Sequence, residues 1–156
     1  MFAIFSNRTK KVIIFCLALY IISLFLTAFT YNDSNADNKL HITKGFETLI
    51  MGSTAILGGG GLEWLVWLAN PFFFFSIILL NEGKKIFAFF SSLTAILLGI
   101  LFSQFQDILV SESGQTKEIQ SWGVGYYIWL SVFIIWFVYL INSRNNLLKN
   151  ERKYKD

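Results

Sequence analysis

The sequence predicts an all-α membrane protein, a four-transmembrane-helix bundle with a short interfacial helix between its first two spans. Three observations predict it. Four uncharged stretches, residues 12–32, 64–81, 86–106 and 119–143, are each long enough to cross a bilayer; the Lys and Arg residues between them fall on alternate sides; and one stretch carries small residues at every fourth position. At about 1.5 Å rise per residue, roughly 20 apolar residues cover a hydrocarbon core of about 30 Å. Membrane strands would instead alternate apolar and polar residues over about ten positions. Residues 12–29 and 72–80 are apolar on every side, so helices are the better reading.

These stretches place spans at about 12–31, 62–80, 86–104 and 122–142, followed by a cytoplasmic tail, 143–156, in a single integral membrane domain covering residues 1–156. Lys and Arg resist translocation, whereas Asp and Glu contribute little to orientation. Arg8, Lys10 and Lys11 precede the first stretch, Lys84 and Lys85 lie between the second and third, and Arg144, Lys149, Arg152, Lys153 and Lys155 follow the fourth. The other side holds only Lys39, Lys44 and Lys117, together with Asp33, Asp37, Glu47, Glu63, Asp107, Glu112 and Glu118. Both termini are therefore expected in the cytoplasm of a bacterial-type inner (plasma) membrane, crossed an even number of times. The net charge of +3 averages a basic inner rim with an acidic outer one. It points to an anionic lipid surface and not to nucleic acid.

The first apolar core, 12–29, exceeds the usual signal-peptide length and lacks a small-x-small cleavage site, so it is expected to stay as an anchor. Its Cys16, Tyr20, Ser23 and Thr27 share one side and form the bundle-facing set. Residues 31–44 read as a solvated loop, rich in Asn, Asp and Ser. After them, Phe46, Leu49, Ile50, Ser53, Ile56 and Leu57 fall within one helical arc, too short to span, and predict an interfacial helix; a hydrophobic surface loop under the other loops and a re-entrant lid or partner platform are the rival readings. Gly58 to Gly61 then form the corner into the second span.

That span holds the candidate polar site: Glu63, Trp67, Asn70 and Pro71. Glu63, Trp67 and Asn70 share a face. Pro71 donates no backbone hydrogen bond, which frees the Trp67 carbonyl and kinks the helix. An amide at the depth of Asn70 must face protein or water. Two readings stay open: a hydroxyl on a neighbouring helix pairs it, with Ser92 and Thr94 as donors, or it lines a polar cavity open to the outside with Glu63 at the mouth. Glu63 also suits a solvated helix start, where a carboxylate favours the N-terminal dipole.

The third span carries the helix-packing strip Ser91, Ala95, Gly99 and Ser103, which lets another helix approach closely. The fourth has Gly123, Gly125 and Ser131 among aromatics, and Trp64, Trp67, Trp122, Tyr126, Tyr127, Trp136 and Tyr139 are placed as two interfacial belts.

No residues are assigned catalytic or metal-binding roles, and no cofactor is expected. His41 is the lone histidine and Cys16 the lone cysteine, which leaves no ligand set or thiol pair. Gly58 to Gly61 is followed by Leu62-Glu63-Trp64, not by the Lys-Ser or Lys-Thr of a phosphate loop. The function expected is non-enzymatic: a small polytopic protein acting by helix–helix binding, as an accessory subunit or protective partner. Its partners are the lipid bilayer and a membrane protein or further copies of itself, with no nucleic acid. The alternative is a small oligomeric channel or transporter with its polar site near Glu63 and Asn70.

Overall fold

In the computed structural model, which describes residues 6–33, 39–110 and 115–153, the chain is mostly helical but also carries a four-stranded antiparallel sheet. The elements run α1 (Asn7–Phe25), β1 (Thr27–Asp33), β2 (Lys39–Lys44), α2 (Gly45–Thr54), a single 3₁₀ turn (Ala55–Gly58), α3 (Gly61–Trp67), α4 (Ala69–Asn81), α5 (Lys85–Phe102), β3 (Asp107–Leu109), β4 (Thr116–Trp122) and α6 (Val124–Lys153). Among the described residues, three helical segments are long and apolar enough to cross a membrane: Gly61–Asn81, Lys85–Phe102 and Val124–Ser143.

The sheet corrects the all-α expectation. Residues 27–31, assigned to the end of the first span, belong to β1, and 116–122, overlapping the uncharged stretch that starts the fourth, form β4. The loop expected over 31–44 is instead largely the β1–β2 hairpin, with Thr30 opposite Ile42 and Tyr31 opposite His41. Strand order is β2-β1-β4-β3, and Phe29 faces Trp122 across the central pair. Thr, Tyr, Phe, Ile and Trp dominate these positions, and such side chains fit a pleated, half-buried surface. Asp37 and Glu112, counted with the acidic loop residues, and the tail end 154–156 lie outside the described residues; α6 itself continues through Lys153.

α1 starts at Ser6, whose Oγ accepts the Thr9 amide at 3.2 Å. It ends where Leu26 turns extended. Three glycines crowd this junction: a Cβ on Gly123 would stand 2.2 Å from the Thr27 carbonyl oxygen, one on Gly125 2.7 Å from the same atom, and one on Gly45 2.5 Å from the Ser23 oxygen. Only residues without a Cβ let α2, α6 and the α1–β1 link meet there.

Two apolar clusters fill the interior. The first, among the helices, is built on Cys16, Tyr20, Phe73, Ala95, Phe133 and Trp136. The second lies beneath the sheet and joins Phe29 and Ile108 to Val66, Phe102 and Tyr126. The sheet thus caps one end of the helical body. Outward helix faces are apolar too: Ile14 and Phe25 on α1, Phe75 on α4 and Phe87 and Phe90 on α5 are all more than half exposed.

Candidate functional site

The second helical segment is interrupted at Leu68, three residues before Pro71. Pro71 has no amide hydrogen for the Trp67 carbonyl. Asn70 supplies the missing donor: its Nδ2 donates to the Trp67 carbonyl at 2.9 Å. Its Oδ1 accepts from Tyr20 Oη of α1 at 2.8 Å and from Trp129 Nε1 of α6 at 2.9 Å. One amide therefore ties three parts of the helical body together, and Asn70 is buried. The hydroxyl that answers it is Tyr20, not Ser92 or Thr94. Thr94 Oγ1 turns back to the Phe90 carbonyl, and Ser92 Oγ is buried without a partner.

The same logic repeats elsewhere in the helices. Trp136 Nε1 donates to Ser76 Oγ, Ser91 Oγ to the Phe72 carbonyl at 2.7 Å, and Tyr126 Oη to the Gly99 carbonyl at 3.0 Å. Trp67 Nε1 reaches the Leu49 carbonyl of α2 at 2.8 Å. Trp136 and Tyr126, expected in the interfacial belts, are buried instead. A ring N–H or O–H inside an apolar core needs an acceptor, and these find theirs on facing helices.

The small strip faces inward. Ser91, Ala95 and Gly99 are buried on α5, and a Cβ on Gly99 would come within 2.8 Å of Leu130 Cδ1 on α6. Ser103 ends the helix and donates to the Ile100 carbonyl at 2.7 Å.

Between the sheet and the helices lies a cavity of about 190 Å³. The sheet contributes Phe29, Tyr31, His41, Thr43 and Ile108; the helices contribute Glu47, Glu63, Val66, Trp67, Asn70, Phe102 and Trp129. Glu63, Trp67 and Asn70 thus share one wall, while Pro71 does not line it. Glu63 sits in the first turn of α3, and its Oε1 accepts the Leu109 amide of β3 at 3.2 Å. That bond ties the β3–β4 hairpin to the helix start. Gly59, with φ +87°, makes the preceding corner, a left-handed conformation that suits glycine. His41 is exposed, and its ring lies 4.7 Å from that of Tyr31.

Sequence reasoning missed Thr43, Trp129 and His41 as cavity residues. Thr43 is buried and its Oγ1 has no partner. For Trp129 a signal existed, because an indole N–H within a span requires an acceptor at its own depth. For Thr43 and His41 none did: their placement comes from β-register. No group of three or more His, Cys, Asp and Glu able to hold a metal occurs among the described residues. No family model matches the chain, and no curated protein or solved structure matches it either.

Proposed function

We propose that this is a four-span, non-enzymatic protein of a bacterial-type inner membrane, with both termini cytoplasmic and the sheet on the outer side, acting by binding a membrane-protein partner as an accessory or protective subunit. The observation that carries the reading is that most of the buried polar side chains described in the helical body, Ser92 apart, are committed to internal partners. Asn70, Ser76, Ser91 and Tyr126 each hold an internal partner, which favours a fixed scaffold over a polar conduit.

Helix α1 is counted as a span although Arg8, Lys10 and Lys11 occupy its first turns. Its 19 residues reach about 28 Å, and Ile14, Phe15, Ile21, Ile22 and Phe25 lie exposed along it. A row of that kind belongs in lipid. Helix α2, with Phe46, Ile50, Met51, Ile56 and Leu57 exposed on it and on the following turn, is the interfacial element of this arrangement.

The outer face of the sheet is the working surface. Leu40 and Ile42 stand on edge strand β2, both more than half exposed. An edge strand carrying apolar side chains is a template for another chain. Co-purification in a mild detergent after cross-linking in cells tests the reading. A partner should be captured by the wild type and lost from a Leu40→Asp, Ile42→Asp double variant that still inserts. Recovery of the wild type only as an inert monomer would remove it.

A small channel or carrier is the second reading, favoured by one observation: Glu63 and Asn70 line the same cavity. Flux through liposomes that falls with Glu63→Gln would support it, and absent or unchanged flux would remove it.

A further inference from the structure

Thr43 Oγ1 is the anomaly of the sheet-capped cavity. Thr43 is only 4% exposed and lines the chamber, yet its hydroxyl has no hydrogen-bond partner. An unpaired hydroxyl in an apolar setting is costly unless something else can pair with it. Three further features say what that something is. Phe29, Val66, Phe102 and Ile108 make much of the wall apolar. Among the described residues, the only formally charged side chains lining it are Glu47 and Glu63, with no Lys or Arg. And about 190 Å³ equals the volume of roughly six waters at about 30 Å³ each, room for a short alkyl chain and its head.

We propose that this chamber binds the end of an unbranched alkyl chain bearing a primary amine. The chain lies against Phe29, Val66 and Phe102, and the ammonium meets Glu63 while donating to Thr43 Oγ1. Glu63 Oε1 already accepts the Leu109 amide, which leaves its second oxygen for the ligand. A carboxylate or phosphate head is repelled by the two glutamates, and an alcohol lacks the charge. The amine is that of a free alkylamine, since an ethanolamine-headed lipid carries a phosphate two carbons from its ammonium and no alkyl chain beside it. The inference rests on the proposed binding role only in placing the chamber where such amphiphiles reach it.

The test uses the full chain in phosphatidylcholine nanodiscs, with n-alkylamines of four to twelve carbons titrated against tryptophan fluorescence. Matched n-alkanols and n-alkanoates control for partition into lipid. Affinity should rise about fourfold per methylene, level off once the chamber is filled, and favour octylamine over octanol and octanoate by about tenfold or more. Thr43→Val should weaken octylamine several-fold while leaving thermal stability unchanged or raised. Glu63→Gln should abolish the preference over octanol.

Phosphatidylethanolamine in the nanodisc should not compete; competition would show that an ammonium is bound without an alkyl chain beside it and would overturn the proposal. Equal binding of amine, alcohol and carboxylate, or unchanged amine affinity in Thr43→Val, would overturn the proposal. Amine selectivity without a captured partner protein removes only the partner reading. A captured partner without amine selectivity removes only this one.

Discussion

Asn70 carries more structural connections than any other side chain of the helical body described above. It substitutes for the amide hydrogen that Pro71 lacks and joins Tyr20 to Trp129. Hydrogen bonds inside membranes average about 0.6 kcal/mol in double-mutant cycles, so losing three amounts to about 2 kcal/mol. Asn70→Ala should lower stability to detergent-induced unfolding by about that amount, and Tyr20→Phe by about a third of it; equal effects would mean the two bonds do not share a node. The serines of α5 make the opposite pair. Ser91 has an acceptor and Ser92 has none, so Ser91→Ala should destabilise by a few tenths to about 1 kcal/mol. Ser92→Ala should be neutral or stabilising, since it removes an unpaired buried hydroxyl. Thermal denaturation of the two variants side by side checks the sign.

At the level of elements, the junction of α1 with β1 is the tightest point. Gly123→Ala would push a methyl group to 2.2 Å from the Thr27 oxygen, and the atom it meets is backbone, which cannot rotate away. The expected cost is at least the 1–3 kcal/mol typical of overpacking, seen as reduced yield and lowered Tm. Wild-type Tm in that variant would show that α6 does not press on the hinge.

The sheet makes its own prediction. Thr30 and Ser121 are directly opposed in β1 and β4, with their hydroxyls 2.8 Å apart. In a Cys16→Ala background, cysteines at positions 30 and 121 should therefore form a disulfide on oxidation, read as a mobility shift on a gel. Failure to cross-link would place these strands apart.

This is also where the sequence was hardest to read. Spans and strands alike are built from Phe, Tyr, Ile and Trp, so uncharged length alone fuses β1 with the first helix and β4 with the last. The distinguishing signal is period two in Phe29, Tyr31 and His41, Thr43, which share the cavity side of the sheet, against the four- and three-residue spacing of Cys16, Tyr20 and Ser23 in the first helix. The Asn70, Pro71 and Trp67 relation was legible because it is local, set by one missing amide hydrogen. Tyr20 was legible through its spacing from Cys16 and Ser23, all three buried. Thr43 was not, because its position depends on a hairpin register fixed by partners far along the chain.

For the whole molecule, three helical segments among the described residues are long and apolar enough to cross a membrane, their outward faces are apolar, and the sheet lies at one end, which suits the proposed arrangement of helices in lipid and sheet in water. The proposed orientation puts the sheet outside, since Lys84, Lys85 and the basic residues after the last span mark the opposite end. The most direct measurement is labelling of single cysteines in intact cells with a membrane-impermeant maleimide, in the Cys16→Ala background. A cysteine at exposed His41 should react in intact cells, and one at exposed Lys84 only after permeabilisation. Protection of position 41 together with labelling of position 84 would contradict the orientation. Free labelling of Phe75→Cys on the exposed face of α4 would contradict its placement in lipid.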